Sequence, residues 1–274
     1  MHFRFSPKRL KRWRRGLNQA QIRRLCYNAY LGDHKILARV LGRYKMYLDT
    51  RDVAFAPHML AEGYWEIWHA ETMLQLVKPG MKAVDLGANM GYFSLLLSDL
   101  VGEAGSVHAF EPNPHIAAML RDTIDINGFA GRTKVHQIAL SDKSGKASFF
   151  IDPARPMNAT MINREDHEIV TVPTQRFDDI DGLSNADFIK IDVEGAEQAL
   201  WAGMAKRLAD PRPLTIIMEF TAARYNDAAA FVDSIVDCGF ALEFIDSEHG
   251  LLPTNKADIL AKPAHIDQLL VLRR

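Results

Sequence analysis

The sequence has few cysteines, no long apolar run and, in its first 32 residues, no acidic side chain. Two cysteines, Cys26 and Cys238, are too few for a disulfide framework, which favours a reducing compartment and predicts a cytoplasmic protein. A run of eighteen apolar residues is missing, so the sequence predicts no membrane-spanning helix. What is present is a chain of 274 residues, 48% of them hydrophobic, which is enough for one large domain and an appendage.

The first 32 residues form a basic leader, although the formal net charge of the whole chain is -1. Its cations precede the first acidic residue, Asp33, and are Arg4, Lys8, Arg9, Lys11, Arg12, Arg14, Arg15, Arg23 and Arg24. The interspersed Phe5, Trp13 and Leu17 are compatible with an anionic membrane surface or with a polyanion such as nucleic acid or an acidic glycan. A solvated arm or helix is the simpler interpretation, because basic runs are usually solvated faces. The composition also resembles an organellar transit peptide. We expect at most peripheral membrane contact, and nucleic-acid binding only through this leader.

Three segments are predicted from the composition and periodicity. Residues 1–32 form a basic arm or helix, residues 33–79 a helical cap with one short strand, and residues 80–274 the main domain. Within the cap, the pattern predicts a strand over residues 45–49 and a helix over residues 66–77, which the Lys-Pro-Gly sequence ends.

Residues 83–94 change from a short apolar run to glycines and then to a helical pattern, which predicts a strand, a tight loop and a helix. Gly87 and Gly91 allow the loop unusual backbone angles and a close approach of a ligand to its N–H groups. The next predicted strand, residues 106–110, leads to Glu111, whose carboxylate can accept hydrogen bonds from both ribose hydroxyls. Together these features predict a nucleoside site.

The glycine pattern bears on which nucleoside is bound. A dinucleotide fingerprint has a glycine where this loop has Asn89. Asp85, at the start of the loop, offers a carboxylate to the ammonium of an amino acid, so S-adenosylmethionine suits the loop better than a pyrophosphate cofactor. The loop alone is explained equally well by any doubly wound α/β protein with a glycine turn after its first strand.

Alternating strand and helix patterns predict an α/β, Rossmann-like fold with a mostly parallel sheet of about seven strands, helices on both faces and an N-terminal helical appendage. Strand patterns at residues 147–151 and 168–172 predict an inserted hairpin over about residues 144–175. Its polar link contains Asn158 and Asn163. We interpret this hairpin as a lid or substrate wall.

Acidic residues follow two of the later strands. A buried strand over residues 188–191 leads to Asp192, with Glu194 two residues on, and the strand after it brings Glu219 to the same edge. Open parallel sheets bind their ligands at the carboxyl ends of the strands. These carboxylates are therefore expected beside the cofactor crevice.

Four motifs together resemble the FkbM-type S-adenosylmethionine-dependent methyltransferases, in the order and at the spacing of that family, over about residues 45–218. They are residues 85–93, 110–113, 138–142 and 189–197. The resemblance implies a class I methyltransferase fold and transfer of a methyl group to a hydroxyl, often of a sugar or small secondary metabolite. S-adenosylhomocysteine would be the product, and the acceptor a small molecule or glycan.

The resemblance also implies roles for individual residues. Those implied to bind the cofactor are Asp85, Gly87, Ala88, Asn89, Gly91, Glu111, Pro112, Asn113, Ser141 and Asp142. Among these, Glu111 would hold the ribose, and Asn113, Ser141 and Asp142 would line the ribose or adenine rim. Asp192 and Glu194 would face the transferred methyl group and the acceptor.

A neutral alcohol is a poor nucleophile, and a positioned general base typically adds about a hundred- to ten-thousand-fold in rate. Asp192 and Glu194 are therefore the predicted catalytic residues, with Glu219 and His249 in reserve. Alternatively, Asp192 contacts only the cofactor's amino group and Glu194 caps the following helix. The carboxylates offer ligands for a divalent ion, but no metal is predicted.

Two other classes of function are compatible with the sequence. A ribose 2′-O methyltransferase acting on RNA would use the basic leader to hold phosphates. A non-catalytic binding module would keep the fold for interaction alone, although retention of the loop, of Glu111 and of Asp192 and Glu194 argues against it.

Overall fold

A computed structural model of the chain describes residues 5–151, 159–160 and 168–274. Arg4, Asn158 and Asn163 thus lie outside the described residues. The N-terminal elements are α1 (Arg15–Leu25), β1 (Asn28–Gly32), β2 (Lys35–Val40), β3 (Tyr44–Asp49), α2 (Phe55–Glu62) and α3 (Ile67–Leu76).

The N-terminal cap contains more strand than the sequence predicted. The predicted strand and helix correspond to β3 and α3, but β1, β2 and β3 pair into a three-stranded antiparallel sheet. Asp33 and His34 both have positive φ and form the two-residue turn between β1 and β2, as hairpin turns of this length require. The expectation of a mainly helical cap is therefore wrong for residues 33–49, and β1 lies in the segment predicted as a basic arm or helix.

The basic leader contains the helix α1, one of the two simpler alternatives, and it packs against the protein and is not a free arm. Phe5 and Ile22 are fully buried and Leu10 nearly so, all within the apolar core that also contains α3. Arg15 donates two hydrogen bonds, at 3.0 and 2.6 Å, to Glu71 Oε2 on α3. Burial of these apolar side chains fixes the leader to the rest of the protein.

The remaining strands and helices alternate along the chain. The strands are β4 (Lys82–Leu86), β5 (Ser106–Phe110), β6 (Thr133–His136), β7 (Ala139–Leu140), β8 (Gly145–Ile151), β9 (Ala159–Thr160), β10 (Glu168–Gln175), β11 (Phe188–Ile191), β12 (Thr215–Phe220), β13 (Ala241–Asp246), β14 (Gly250–Pro253) and β15 (Gln268–Arg273). The helices are α4 (Tyr92–Val101), α5 (Pro114–Ile126), α6 (Glu197–Gly203), α7 (Ala205–Ala209), α8 (Ala228–Asp237) and α9 (Lys256–Ala261).

The main sheet has eight strands in the order β14-β13-β15-β12-β11-β4-β5-β6. The pairs from β12 to β6 are parallel, and β15 is antiparallel to both β12 and β13. The Rossmann-like prediction is confirmed. The eighth strand is β14, a short edge strand that the sequence analysis did not anticipate.

Alternation along β4 shows how the sheet divides the core into two layers. Ala83 packs in the apolar cluster with α3, α4 and α5, whereas Val84 and Leu86 pack in the cluster with α6, α8 and α9. Successive strand side chains point to opposite faces, so both faces need a helical layer. Helices on both faces are thereby confirmed.

The inserted segment forms its own sheet, in the order β7-β10-β8-β9. β8 and β10 pair antiparallel, with Phe149 opposite Val170, so the predicted hairpin is present. β6 ends at His136, and the short β7 that follows it pairs with β10 and not with the main sheet. The role of this hairpin as a lid or substrate wall stays a prediction. Within the described ranges, every helix is too short or too polar to cross a bilayer.

Candidate active site

The loop between β4 and α4 turns on three residues with positive φ: Gly87 at 73°, Asn89 at 50° and Gly91 at 101°. A Cβ on Gly87 would lie 1.7 Å from the carbonyl oxygen of Asp192, and one on Gly91 would lie 2.6 Å from Leu120 Cδ1. Both positions therefore exclude a side chain by space as well as by backbone angle. Gly87 is where the loop touches the end of β11.

The backbone N–H groups of this loop are already bonded within the protein. Gly87 and Ala88 donate to the carbonyl oxygen of Phe110 at 3.1 and 2.9 Å. Asn89 N–H donates to Glu111 Oε2 at 3.0 Å, and Met90 N–H to the Asn89 side chain at 2.7 Å. These N–H groups thus bond to β5, to Glu111 and to the loop itself. A close approach of a ligand to them stays a prediction.

Glu111 joins the loop to the start of α5. Its other oxygen, Oε1, accepts from Asn113 N–H at 2.9 Å, and the residue is 7% exposed. Burial raises the pKa of Glu111 to about 7, although the two N–H donors partly offset this. Each carboxylate oxygen has two acceptor positions, so one on each remains for a ribose hydroxyl. The residues present thus fit a nucleoside cofactor at this point.

Asp85 lies beneath the loop rather than at an open surface. It is fully buried, and its Oδ2 accepts from Ser94 Oγ at 2.6 Å. Its Oδ1 lies 3.4 Å from Lys190 Nζ. Its predicted contact with the cofactor ammonium stays a prediction, and the groups that Asp85 meets in the structure are a hydroxyl and a lysine.

The other predicted rim residues have visible structural roles. Asn113 Oδ1 accepts from His115 N–H at 3.0 Å and caps the N-terminus of α5. Ser141 N–H donates to Gln175 O at 2.9 Å, and Ser141 Oγ donates to Asp142 at 3.0 Å. Pro112 stands half-buried between Glu111 and the capping residue. Their contacts with the ribose or adenine stay predictions.

Three carboxylates meet at the carboxyl ends of β11 and β12. Asp192, Glu194 and Glu219 each place an oxygen within 4.8 Å of the others. Arg224 Nη2 lies 2.8 Å from Glu194 and its Nη1 lies 2.9 Å from Glu219, while Lys190 Nζ lies 3.1 Å from Asp192. The structure thereby brings together both predicted catalytic residues and one of the two reserves, and we refer to the three acids as the carboxylate cluster.

The charges of the carboxylate cluster are unevenly distributed. Burial and the neighbouring Asp192 charge raise the pKa of Glu219 to about 8, so it is mostly protonated at neutral pH. Burial acts in the same direction on Asp192, but the Lys190 ammonium outweighs it and holds the pKa of Asp192 below its usual value. Burial also raises the pKa of Glu194, although the Arg224 cation opposes this, so Asp192 is the member of the cluster whose carboxylate is most favoured.

A divalent ion would have to compete with those cations. Asp192, Glu194 and Glu219 have the oxygen ligands that such ions prefer. Lys190 and Arg224 already balance their charge, so the arrangement does not call for a metal, and its absence stays a prediction. His249, the second reserve, pairs with Asp246 in the turn after β13 and is not part of the cluster.

Sequence reasoning overlooked three residues near the cluster. Lys190 is 2% exposed and also donates to Gly87 O at 3.2 Å, so it ties the loop, Asp85 and Asp192 together. A lysine inside an apolar strand was a readable signal, because lysine is almost never buried unless it is paired. Arg224 gave no such signal, since it follows β12 in a short turn.

The third overlooked residue is His69 on α3. It is 2% exposed, and within the described part of the chain neither ring nitrogen has a hydrogen-bond partner. Its ring packs against Phe93 with centroids 4.3 Å apart, and Lys190 Nζ lies over the same Phe93 ring at 5.3 Å. Its Nδ1 lies 3.5 Å from Glu66 Oε2, so the carboxylate of Glu66 is the nearest polar group that the structure gives the ring.

Comparison with known proteins identifies related sequences. The family model described as the methyltransferase FkbM domain matches residues 85–250, which is more than half of the chain. Methyltransferase sdnD of Sordaria araneosa is 27% identical over 154 residues, 44% of this chain. The 2-O-methyltransferase NoeI of Sinorhizobium fredii is 28% identical over 164 residues, 53% of this chain. The matches span 59% and 65% of the lengths of these two relatives.

Solved structures show the same fold at low sequence identity. M. jannaschii TYW2, crystallised in complex with AdoMet, superposes with a TM-score of 0.51 at 11% identity. The superposition covers 89% of this chain and 88% of that one. At this identity the likeness concerns the fold alone.

Proposed function

This chain belongs to the FkbM family of S-adenosylmethionine-dependent methyltransferases, and we propose that it methylates a hydroxyl group of a sugar, a glycan or a small secondary metabolite. A relative named as a 2-O-methyltransferase supports oxygen as the accepting atom. The observation that carries the proposal is the contact of Gly87 with the carbonyl oxygen of Asp192, which joins the cofactor loop to the carboxylate cluster.

The cofactor would supply an electrophilic methyl group, and this chain's residues would hold the acceptor in line with it. Such positioning can supply roughly 7–11 kcal/mol of the barrier. Glu111 would accept hydrogen bonds from the ribose, and the buried loop residues would shape the crevice. Asp192 begins the carboxylate cluster directly beside that crevice.

A base is needed because the attacking hydroxyl must lose its proton as the new carbon–oxygen bond forms. Asp192 and Glu194 are 37% and 57% exposed at their side chains, so an acceptor can reach both. Lys190 keeps Asp192 ionised, which suits it to accept the hydroxyl's hydrogen bond and proton. Arg224 holds Glu194 beside it.

The test is the rate of methyl transfer to a panel of hydroxylated sugars and metabolites, using labelled S-adenosylmethionine. We expect Asp192→Asn to lower the rate by about a hundred- to ten-thousand-fold. Calorimetric affinity for S-adenosylhomocysteine should change little, since Asn keeps the shape of the side chain.

Asp210→Asn is the matched control. Asp210 is also ion-paired, with Arg212, but it precedes β12 at the opposite edge of the sheet. Full activity is expected in this variant. If Asp192→Asn and Glu194→Gln both transfer methyl groups as fast as the unaltered protein, the carboxylate-base mechanism is wrong.

A further inference from the structure

The leader presents apolar and basic side chains to solvent side by side. Trp13 is 77% exposed and Leu17, four residues on, is 69% exposed. The Arg14 guanidinium lies over the Trp13 ring at 5.0 Å. Four cations near them in sequence, Lys8, Arg9, Lys11 and Arg14, are exposed as well. We call these six residues the leader face.

The leader face is held rigidly. Phe5 and Ile22 anchor the leader in the core, and Asn18 donates to Arg9 O at 2.9 Å. Arg15 forms a two-bonded ion pair with Glu71, which is 3% exposed. Trp13 and Leu17 therefore project from a fixed scaffold, where exposing large apolar groups has a hydration cost and no folding benefit.

The leader lies at the same edge of the sheet as the carboxylate cluster. Arg12 donates to Glu248 O at 2.9 Å, and Arg15 donates to Ser247 O, both in the turn that follows β13. β12 and β13 are each antiparallel to β15, so they run in the same direction and end at the same edge. Glu219 stands near the end of β12. The leader thus contacts the protein at the edge of the sheet where β12 and β13 end.

We propose that the leader face docks on an anionic bilayer surface. Cations beside an exposed tryptophan and leucine match the two layers of such a surface, because lysine and arginine pair with anionic headgroups while the apolar side chains enter the acyl boundary. The first 32 residues have no acidic side chain to oppose this. A nucleic acid would use the cations but would give Leu17 no favourable environment.

Co-sedimentation with vesicles tests the docking. The full chain is mixed with vesicles of phosphatidylcholine alone or of phosphatidylcholine with phosphatidylglycerol, at low and high salt. We expect binding to the anionic vesicles to be at least about tenfold tighter than to the neutral ones and to weaken with salt. Tryptophan emission should shift to the blue on binding, and Trp13→Phe should remove most of that shift.

Two double variants separate the apolar and basic contributions. Trp13→Ser with Leu17→Ser, and Lys11→Glu with Arg14→Glu, should each weaken binding by about tenfold or more. Val53→Ser and Lys206→Glu alter exposed residues elsewhere and should leave it unchanged. The altered side chains are exposed, so unchanged near-ultraviolet circular dichroism should confirm folding. The proposal is overturned by equal binding to neutral vesicles, by no vesicle binding, or by binding to an RNA homopolymer alone.

Discussion

The two halves of the site are built in different ways. On the β4–β5 side, the loop of residues 87–91 is joined to the end of β5 and to Glu111 by hydrogen bonds from backbone N–H groups. On the β11–β12 side, the carboxylate cluster is held by side-chain cations, and one of them, Arg224, comes from a separate turn after β12. The first half is buried, whereas two of the three acids in the second are more than a third exposed.

The β4–β5 half of the site is therefore fixed in shape by backbone hydrogen bonds, whereas the β11–β12 half is held by ion pairs. Backbone bonds fix the first half before any ligand arrives, which suits a cofactor that is the same in every turnover. Ion pairs between half-exposed side chains are weak and can rearrange, which suits contact with an acceptor. Lys190 contacts both halves, so substitutions in each half should differ in their effect on stability.

The largest effect is expected at Gly87. Gly87→Val would place side-chain atoms against Asp192 O at a position with a φ of 73°. We expect a loss of at least about 5 kcal/mol in the free energy of unfolding, or no folded protein. Gly131→Val is the control, because a Cβ added at Gly131 would have no other atom within 4 Å. A stable Gly87→Val variant in urea unfolding would show that the loop does not brace β11.

The second largest loss of stability is expected when the Lys190 ammonium, which contacts both halves, is removed. Lys190→Met leaves the fully buried Asp85 without its cation, and breaking a buried pair this way costs about 3–5 kcal/mol. Urea unfolding measures the loss, and the exposed Lys206→Met should change the free energy by less than about 0.5 kcal/mol. An equally small change at Lys190 would mean that Asp85 is not charged in the folded protein.

Stability should fall as pH rises, because of Glu111. Its pKa is about 7 in the folded protein against a usual value of 4.5. A carboxyl group whose pKa is raised by folding contributes its whole stabilisation when the pH is below its pKa in the unfolded chain. That stabilisation is lost as the pH rises through its pKa in the folded protein. We expect the free energy of unfolding to decrease by up to about 3 kcal/mol between pH 5 and pH 8. Urea unfolding without ligand at each pH measures this decrease.

Glu111→Gln should remove the part of that decrease that Glu111 contributes, up to about pH 7. Glu219 also has a raised pKa, of about 8, so it contributes an overlapping decrease that continues to about pH 8, and Glu219→Gln should remove that part. A pH dependence that is the same in Glu111→Gln as in the unaltered protein would contradict the assignment to Glu111.

The smallest effect on stability is expected at Arg224. Arg224→Gln removes the cation of Glu194 and Glu219, but Glu194 is 57% exposed and water can replace the pair. We expect a loss of about 1 kcal/mol, with a larger proportional loss in methyl-transfer rate. Arg212→Gln, which breaks the exposed pair with Asp210, should leave the rate unchanged. A loss in the free energy of unfolding as large as that of Lys190→Met would show that Arg224 stabilises the protein as much as Lys190 does.

The sequence by itself determined the order of the main elements and the site they share. Apolar runs ending in Gly87, Glu111 and Asp192 predicted which strand ends would meet, because parallel strands bring their carboxyl ends to one edge of a sheet. Local patterns were sufficient there, since each strand and its acid are adjacent in the chain.

Only the tertiary structure decided the partners of these residues. β1 and β2 exist because they pair with β3, and Phe5 is buried because the core accepts it, neither of which a local pattern encodes. The N–H groups of Gly87 and Ala88 bond to β5, and that of Asn89 bonds to Glu111, which the local sequence pattern did not indicate. His69, Arg224 and the carboxylate cluster meet through contacts between residues distant in sequence, which depend on how the elements pack.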